Sequence, residues 1–254
     1  MKEPSIKAQL LKSVIPLVQG RYTFETLSIA HRDIRGAKID QSQRQEIDRV
    51  WESRLSANPS LFDGLQVRLD SGQITDGKLI LRTSLTSYSE FLGTNLSHPD
   101  WPDSSLANPI GVSGIVLTED GYLVLGVRAA NLGEYCGYID TIGGNLSPTL
   151  HVTNDEIDPF KAFSSEVEEE LSIESGQIRS QLLTGLWRNA ETMRPELVFR
   201  ANVSADRISV GQRGHEHTEL IFLSSTPADI IEFCGQHAAE MTPSCKAALF
   251  GLIE

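Results

Sequence analysis

Residues 158–173 read DPFKAFSSEVEEELSI, and within them Glu166, Glu169 and Glu170 recur at spacings of three and four. At about 100° per residue these three carboxylates share one arc of a helix. Phe160, Phe163, Val167 and Leu171 form the neighbouring apolar stripe, and Glu168 turns away from both. Asp158-Pro159 suits the start of such a helix, because Asp can cap free N–H groups and Pro is tolerated at the first position. Like charges one turn apart destabilise an isolated helix by a few tenths of a kcal/mol per pair, and a solvated acidic face is the plain alternative. Two features favour chemistry. No Lys or Arg follows one turn later to offset the charge, and Gly143-Gly144 upstream frees backbone carbonyls. Carboxylates grouped with a carbonyl make a hard oxygen site suited to Mg²⁺ or Mn²⁺.

Other residues could meet a ligand. Arg128 closes a strand, where it is either a solvent charge or a guanidinium fork for a phosphate. Asp140 and Asn145 bracket the two glycines and could hydrogen-bond sugar hydroxyls, although both also favour turns. His215-Glu216-His217 would send two imidazoles to one face of a strand, but no third zinc ligand and no HExxH accompany them.

These groups need a scaffold, and the 254 residues suffice for one. With 22 Lys+Arg against 34 Asp+Glu the net charge is −12, which argues against sequence-independent nucleic-acid binding. Apolar residues at 40% and charged residues at 22% exclude a disordered or fibrous chain. No apolar run reaches membrane-spanning length, so no membrane association is expected. The first twenty residues are interrupted by Lys12 and Pro16 and lead to no small-residue cleavage site, so no signal peptide is expected. Three cysteines without metal spacing suit a reducing cytosol.

Patterning predicts strands at 22–29, 64–69 and 78–83 and helices at 41–55 and 87–92. The turn-rich stretch 95–109 separates a 1–96 α+β domain from a domain at 97–254. In the latter, 111–117 and 122–127 flank Thr118-Glu119-Asp120-Gly121 as a hairpin. The helix from Asp158, strands at 182–187, 197–203 and near Leu220, and helices at 227–237 and 244–252 follow. Mixed strands and helices make the class α/β or α+β.

The glutamate segment resembles the Nudix hydrolases, whose box is G-x5-E-x7-R-E-U-x-E-E-x-G-U with U bulky and apolar. Residues 165–173 hold all three glutamates and both apolar positions, with Ser165 at the box Arg and Ser172 at the box Gly. Gly144 lies seven residues further from Glu166 than the box allows, and the box's isolated Glu falls on Ile157 beside Glu156. The segments NPSLFDGLQVRL, LTSYSEFLGTN, ANPIGV, IDTIGGN, LWRNAETMRPELVF and GHEHTELIF resemble the branch that hydrolyses UDP-glucose and UDP-galactose. This likeness covers residues 40–225 and implies an α-β-α sandwich with a mixed sheet, preceded by the smaller domain. It also implies Mg²⁺-dependent hydrolysis to UMP and sugar 1-phosphate. Glu166, Glu170 and the Gly144 carbonyl are then metal ligands, and Glu169 a further ligand or base. Glu216 or Glu219 serves as an auxiliary carboxylate near the metals. Phe62 and Tyr88 resemble residues that hold the nucleotide, with a core role as Phe62's alternative. Two other readings remain: hydrolysis of another nucleoside diphosphate such as ADP-ribose or NADH, and a catalytically weak nucleotide-sugar sensor. The expected partner is a nucleotide sugar, for a monomer or homodimer.

Overall fold

The computed structural model describes residues 5–131, 133–153, 156–212 and 216–253. The chain begins with α1 (Ile6–Leu10), β1 (Val14–Tyr22), β2 (Leu27–Arg35) and α2 (Gln41–Ala57). Next come β3 (Leu65–Thr75), β4 (Lys78–Ser87) and α3 (Tyr88–Phe91), which widens into a π-helical turn at Leu92–Leu96. After the turn-rich stretch follow β5 (Gly111–Leu117), β6 (Tyr122–Arg128), β7 (Ile139–Asp140) and β8 (Ile142–Asn145). The short strands β9 (Val152–Thr153) and β10 (Glu156–Ile157) precede α4 (Pro159–Leu171). The chain then runs through β11 (Ile178–Asn189), β12 (Pro195–Val203), β13 (His217–Ser224), α5 (Pro227–His237) and α6 (Pro243–Phe250).

Two mixed sheets result. The larger has the order β1-β11-β12-β5-β6-β13, with β7 added to β6 and β8 to β5, and its one parallel pair is β12 with β5. The smaller has the order β3-β4-β2-β10-β9, with β2 and β4 parallel. Alternation along the strands of the larger sheet builds two cores. Val112 and Val116 of β5, Val124 of β6 and Phe199 of β12 face α4 and the smaller sheet. Ile115, Leu123, Leu125 and Val198 face the opposite way, toward α1, α5 and α6. Because both faces are covered, β5 is buried along almost its whole length. This is the expected α-β-α sandwich, with the smaller sheet added to the α4 layer.

The hairpin at Asp120-Gly121 forms with Gly121 at φ +86°, and α4 and α5 form close to their expected bounds. The strand expected at 22–29 does not exist as one piece. It straddles the end of β1 and the start of β2, divided at Phe24–Thr26 by a 3₁₀ turn that Thr23 and Thr26 close as a capping box. Strand β1 itself runs through Pro16, which a central strand would not accept. An edge position and a bulge after Pro16 accommodate it.

The sheets do not follow the expected division at residue 96. Strand β1 lies in the larger sheet, and β9 and β10 extend the smaller one. The extra residues between Gly144 and Glu166 are what carry β9 and β10 across, with Glu156 paired opposite Ala30 of β2.

Candidate active site

Helix α4 starts where Asp158 accepts from the Lys161 N–H at 3.0 Å, with Pro159 in its first turn. Its apolar side, Ala162, Phe163, Val167 and Leu171, is fully buried and sets its rotation. That rotation divides the three glutamates. Taking about 100° per residue, Glu170 lies closest to the Phe163–Val167 stripe, Glu166 next, and Glu169 furthest. Accordingly Glu170 is 5% exposed, Glu166 is half-buried and Glu169 is exposed. Ser165 donates its hydroxyl back to the Lys161 carbonyl at 3.2 Å and offers nothing to the glutamates. The helix ends with Ser172 in the left-handed region, φ 57°, at the position where the box has Gly.

Strand β8 meets this inward face. The Gly143 N–H donates to Glu170 Oε1 at 3.0 Å. At Gly144 the Glu166 carboxylate lies against the backbone, in the space a Cβ would take. Burial raises the carboxyl of Glu166 to about 8, with Glu170, Glu169 and Glu216 adding repulsion. Burial likewise raises Glu170. His217 Nδ1 stands 3.1 Å from Glu170 Oε2 and works against that rise, and among the described residues this buried oxygen has no other partner.

Two buried carboxyls, one with an oxygen that only His217 approaches among the described residues, beside a glycine cradle form a donor set that fits a hard divalent cation. Among the described residues, no three His, Cys, Asp or Glu side chains already converge as a complete coordination group. Glu166, Glu170 and the Gly144 carbonyl are the groups that would hold the ion.

Gly143 and Gly144 also line a cleft of about 900 Å³ that is open to solvent. Glu216 lines it on the glutamate side. Arg128, Arg188 and Arg194 supply positive charge to the same cleft. Arg128 pairs with Asp140 at 2.7 Å, and Arg188 with Asp103 at 2.6 Å. Arg194 donates to Asn145 Oδ1 at 2.8 Å and lies within 4.0 Å of Glu134 and Glu196. Burial raises Glu196 to about 6, against the lowering effect of Arg194. Arg188, Asn189, Thr192 and Arg194 belong to the β11–β12 hairpin, whose tip is anchored where Asn95 donates to the Thr192 carbonyl at 2.9 Å. Tyr135, from the loop after β6, accepts from Asn189 at 2.8 Å.

Of the residues singled out in the sequence, Arg128, Asp140, Gly144, Asn145 and Glu216 line this cleft, with Glu166 and Glu170 against its glycines. Two of the expected residues lie outside the cleft lining. Phe62 is 82% exposed and does not line the cleft, nor is it core. The reason is its neighbour: Asp63 accepts from the Ser89 N–H at 2.7 Å and hydroxyl at 2.8 Å, which pins the loop and leaves Phe62 outside. Tyr88 does not line the cleft either. It packs edge-on to Trp51 at 6.4 Å, behind the loop that carries Glu134 and Tyr135. Glu156 lines a separate groove with Phe24 and Lys161. Glu219 is exposed on β13. His215 lies outside the described residues.

Arg188, Arg194, Glu196 and Thr242 were not singled out from sequence. The first three sit in the RNAETMRPE segment, whose density of charge around a turn was the available signal.

No family model matches the chain. Among curated proteins, it is 29% identical to the uridine diphosphate glucose pyrophosphatase NUDT22 of Bos taurus, over 79% of this chain and 82% of that one. It is likewise 29% identical to Nudix hydrolase 9 of Arabidopsis thaliana, over 71% and 72%. Among solved structures, the Nudix domain of Shewanella oneidensis NrtR, complexed with ADP ribose, aligns with a TM-score of 0.40 at 12% identity, over 58% of this chain and 96% of that one.

Proposed function

Starting from a chain that resembles the Nudix hydrolases and is a diphosphate hydrolase of that type, we propose that it cleaves a UDP-sugar, UDP-glucose or UDP-galactose, to UMP and sugar 1-phosphate. The curated relatives named for UDP-glucose support the substrate class. The observation that carries the reading is the composition of one cleft. Carboxylates with no Arg or Lys partner among the described residues stand at its glycine wall, and three arginines line the same space.

Hydrolysis of a diphosphate builds negative charge on phosphoryl oxygens, and the arginines supply fixed donors for that charge. A Mg²⁺ or Mn²⁺ held at this site would supply positive charge for that build-up and lower the pKa of a bound water. Glu166, Glu170 and the Gly144 carbonyl hold the ion in this reading. Glu216, which lines the cleft, and Glu169, on the exposed edge of α4, are the candidates for accepting the proton of the attacking water. Asn145 is held by Arg194 at the sugar end. Residues 1–96 serve the site through Asn95 and the hairpin it anchors, and Tyr88 acts from behind the 133–137 loop. The substrate is a small molecule, and the protein works in the cytoplasm as a monomer or homodimer.

The test is turnover of UDP-glucose, UDP-galactose, ADP-ribose and NADH with Mg²⁺ and with EDTA, with products identified. UMP and sugar 1-phosphate, formed only with metal, are the expected result. Preference for ADP-ribose or NADH would reject the substrate assignment, and full activity in EDTA would reject the metal.

A further inference from the structure

Asp140 ends β7 at the cleft, 6% exposed, with both carboxylate oxygens engaged. Oδ2 accepts from Arg128 Nη1 at 2.7 Å. Oδ1 accepts from the Thr141 N–H at 2.8 Å, the Thr242 hydroxyl at 2.6 Å and the Ser244 hydroxyl at 3.0 Å. Three donors crowd the two lone pairs of Oδ1 and the guanidinium holds Oδ2, so groups of the protein itself engage both oxygens.

The two hydroxyls come from the start of α6, 102 and 104 residues further along the chain. Their position is set by the backbone. The Thr242 N–H donates to the Ile139 carbonyl at 2.9 Å, and Ile139 also bridges to Met241. Thr242 has no freedom left, since its Oγ1 also accepts from the Cys245 N–H at 3.1 Å as the cap of α6. Arg128 is gripped at a second point, where Nε donates to the Glu134 carbonyl at 3.1 Å. A guanidinium has five N–H donors. With Nε and one Nη1 hydrogen engaged by the described residues, three remain for other acceptors, on a side chain that lines the cleft.

We propose that Asp140 is a positioning residue. It aims the free edge of Arg128 at the diphosphate, and the start of α6 is its anchor. This rests on the diphosphate-hydrolase reading above and removes Asp140 from the groups that touch the sugar. A tethered fork loses little freedom when phosphate binds, which is where its advantage over a loose arginine lies.

A double-mutant cycle on the full chain decides it. Asp140→Asn should lower kcat/KM for UDP-glucose by about 10- to 150-fold, the range for a hydrogen bond to a charged group, with most of the change in KM. Arg128→Gln should lower it at least as much. The double variant should fall within about 3-fold of Arg128→Gln alone. If Asp140→Asn instead repeats its full effect in the Arg128→Gln background, Asp140 touches substrate itself and the proposal is wrong.

Thr242→Val and Thr242→Ser test the anchor and also decide the matter if Asp140→Asn fails to fold. The valine variant should raise KM by about 3- to 10-fold and the serine variant restore it, whereas a wild-type KM in the valine variant would refute the anchor. Wild-type protein that turns over no nucleotide sugar would reject the function proposed above. The same cycle would then be read as the Kd of inorganic pyrophosphate with Mg²⁺, where non-additivity of the two substitutions supports the positioning role and additivity refutes it.

Discussion

Two buried glutamates, Glu90 and Glu170, are 3% and 5% exposed, yet their surroundings are opposites. Glu90, after β4, accepts from Arg35 at 3.1 Å, Arg44 at 2.8 Å and Thr86 at 2.9 Å. Glu170 receives one backbone N–H and has a histidine, in place of arginines, beside its other oxygen at 3.1 Å. Burying an anion is costly unless it is paired and hydrogen-bonded. The first site meets that condition within the protein and ties α2 and β2 to α3. The second does not, and its want of Arg or Lys partners among the described residues is what a cation would relieve. A buried carboxylate with arginines is architecture; one without them is a candidate for chemistry.

The largest effects should separate the two. Glu170→Gln keeps size and helix propensity and removes a charge that burial already disfavours. We expect turnover to fall by at least about 100-fold while the melting temperature holds or rises. Glu90→Gln should do the reverse. Stability should drop by about 1–3 kcal/mol, limited because both arginines are half exposed and water takes up their charge, and the folded fraction should keep its kcat. Denaturant unfolding and initial rates on both variants give the answer, and equal losses of activity would dissolve the contrast.

Glu196 is intermediate, with Arg194 at 3.9 Å and a side chain 16% exposed. Its carboxyl is raised to about 6 from an ordinary 4.5, so the folded state binds the proton more tightly than the unfolded one. Its contribution to stability is therefore fully present below about 4.5 and is lost as pH rises to about 6, by about 1–2 kcal/mol in all. Glu196→Gln should flatten that window and gain about the same amount at pH 8. A wild-type stability curve that rises between pH 4.5 and 6 and is unchanged by the substitution would contradict this.

The end of α4 offers a smaller effect. Ser172 adopts φ 57°, a region where a Cβ is strained and glycine is not. Ser172→Gly should raise stability by about 0.5–1 kcal/mol with turnover little changed, because the residue follows the glutamates without contacting them. Destabilisation would mean that the hydroxyl carries an interaction of its own. The smallest effect belongs to Phe62→Ala, at 82% exposure. Stability should stay within about ±0.5 kcal/mol and KM within about 2-fold, and a large rise in KM would bring the 58–64 loop back to the substrate.

Local physics is written in short segments, and there the sequence is legible. Asp158-Pro159 starts α4, the Phe163–Val167–Leu171 stripe sets its buried side, and Asp120-Gly121 turns the hairpin. The placing of Glu166 and Glu170 against the glycines follows from that same helical phase, since burial of the stripe rotates them inward. Other features rest on partners far away in the chain. Strand β1 could not be read through Pro16, because edge position is a property of the whole sheet. The exposure of Phe62 follows from Asp63, which holds its loop to Ser89, a contact across 26 residues. Asp140 looked free to bind a sugar because the hydroxyls that occupy it lie more than a hundred residues later, on α6. Which polar groups are already satisfied is decided by long-range contacts, and a carboxylate's availability for chemistry is what remains after those contacts are made.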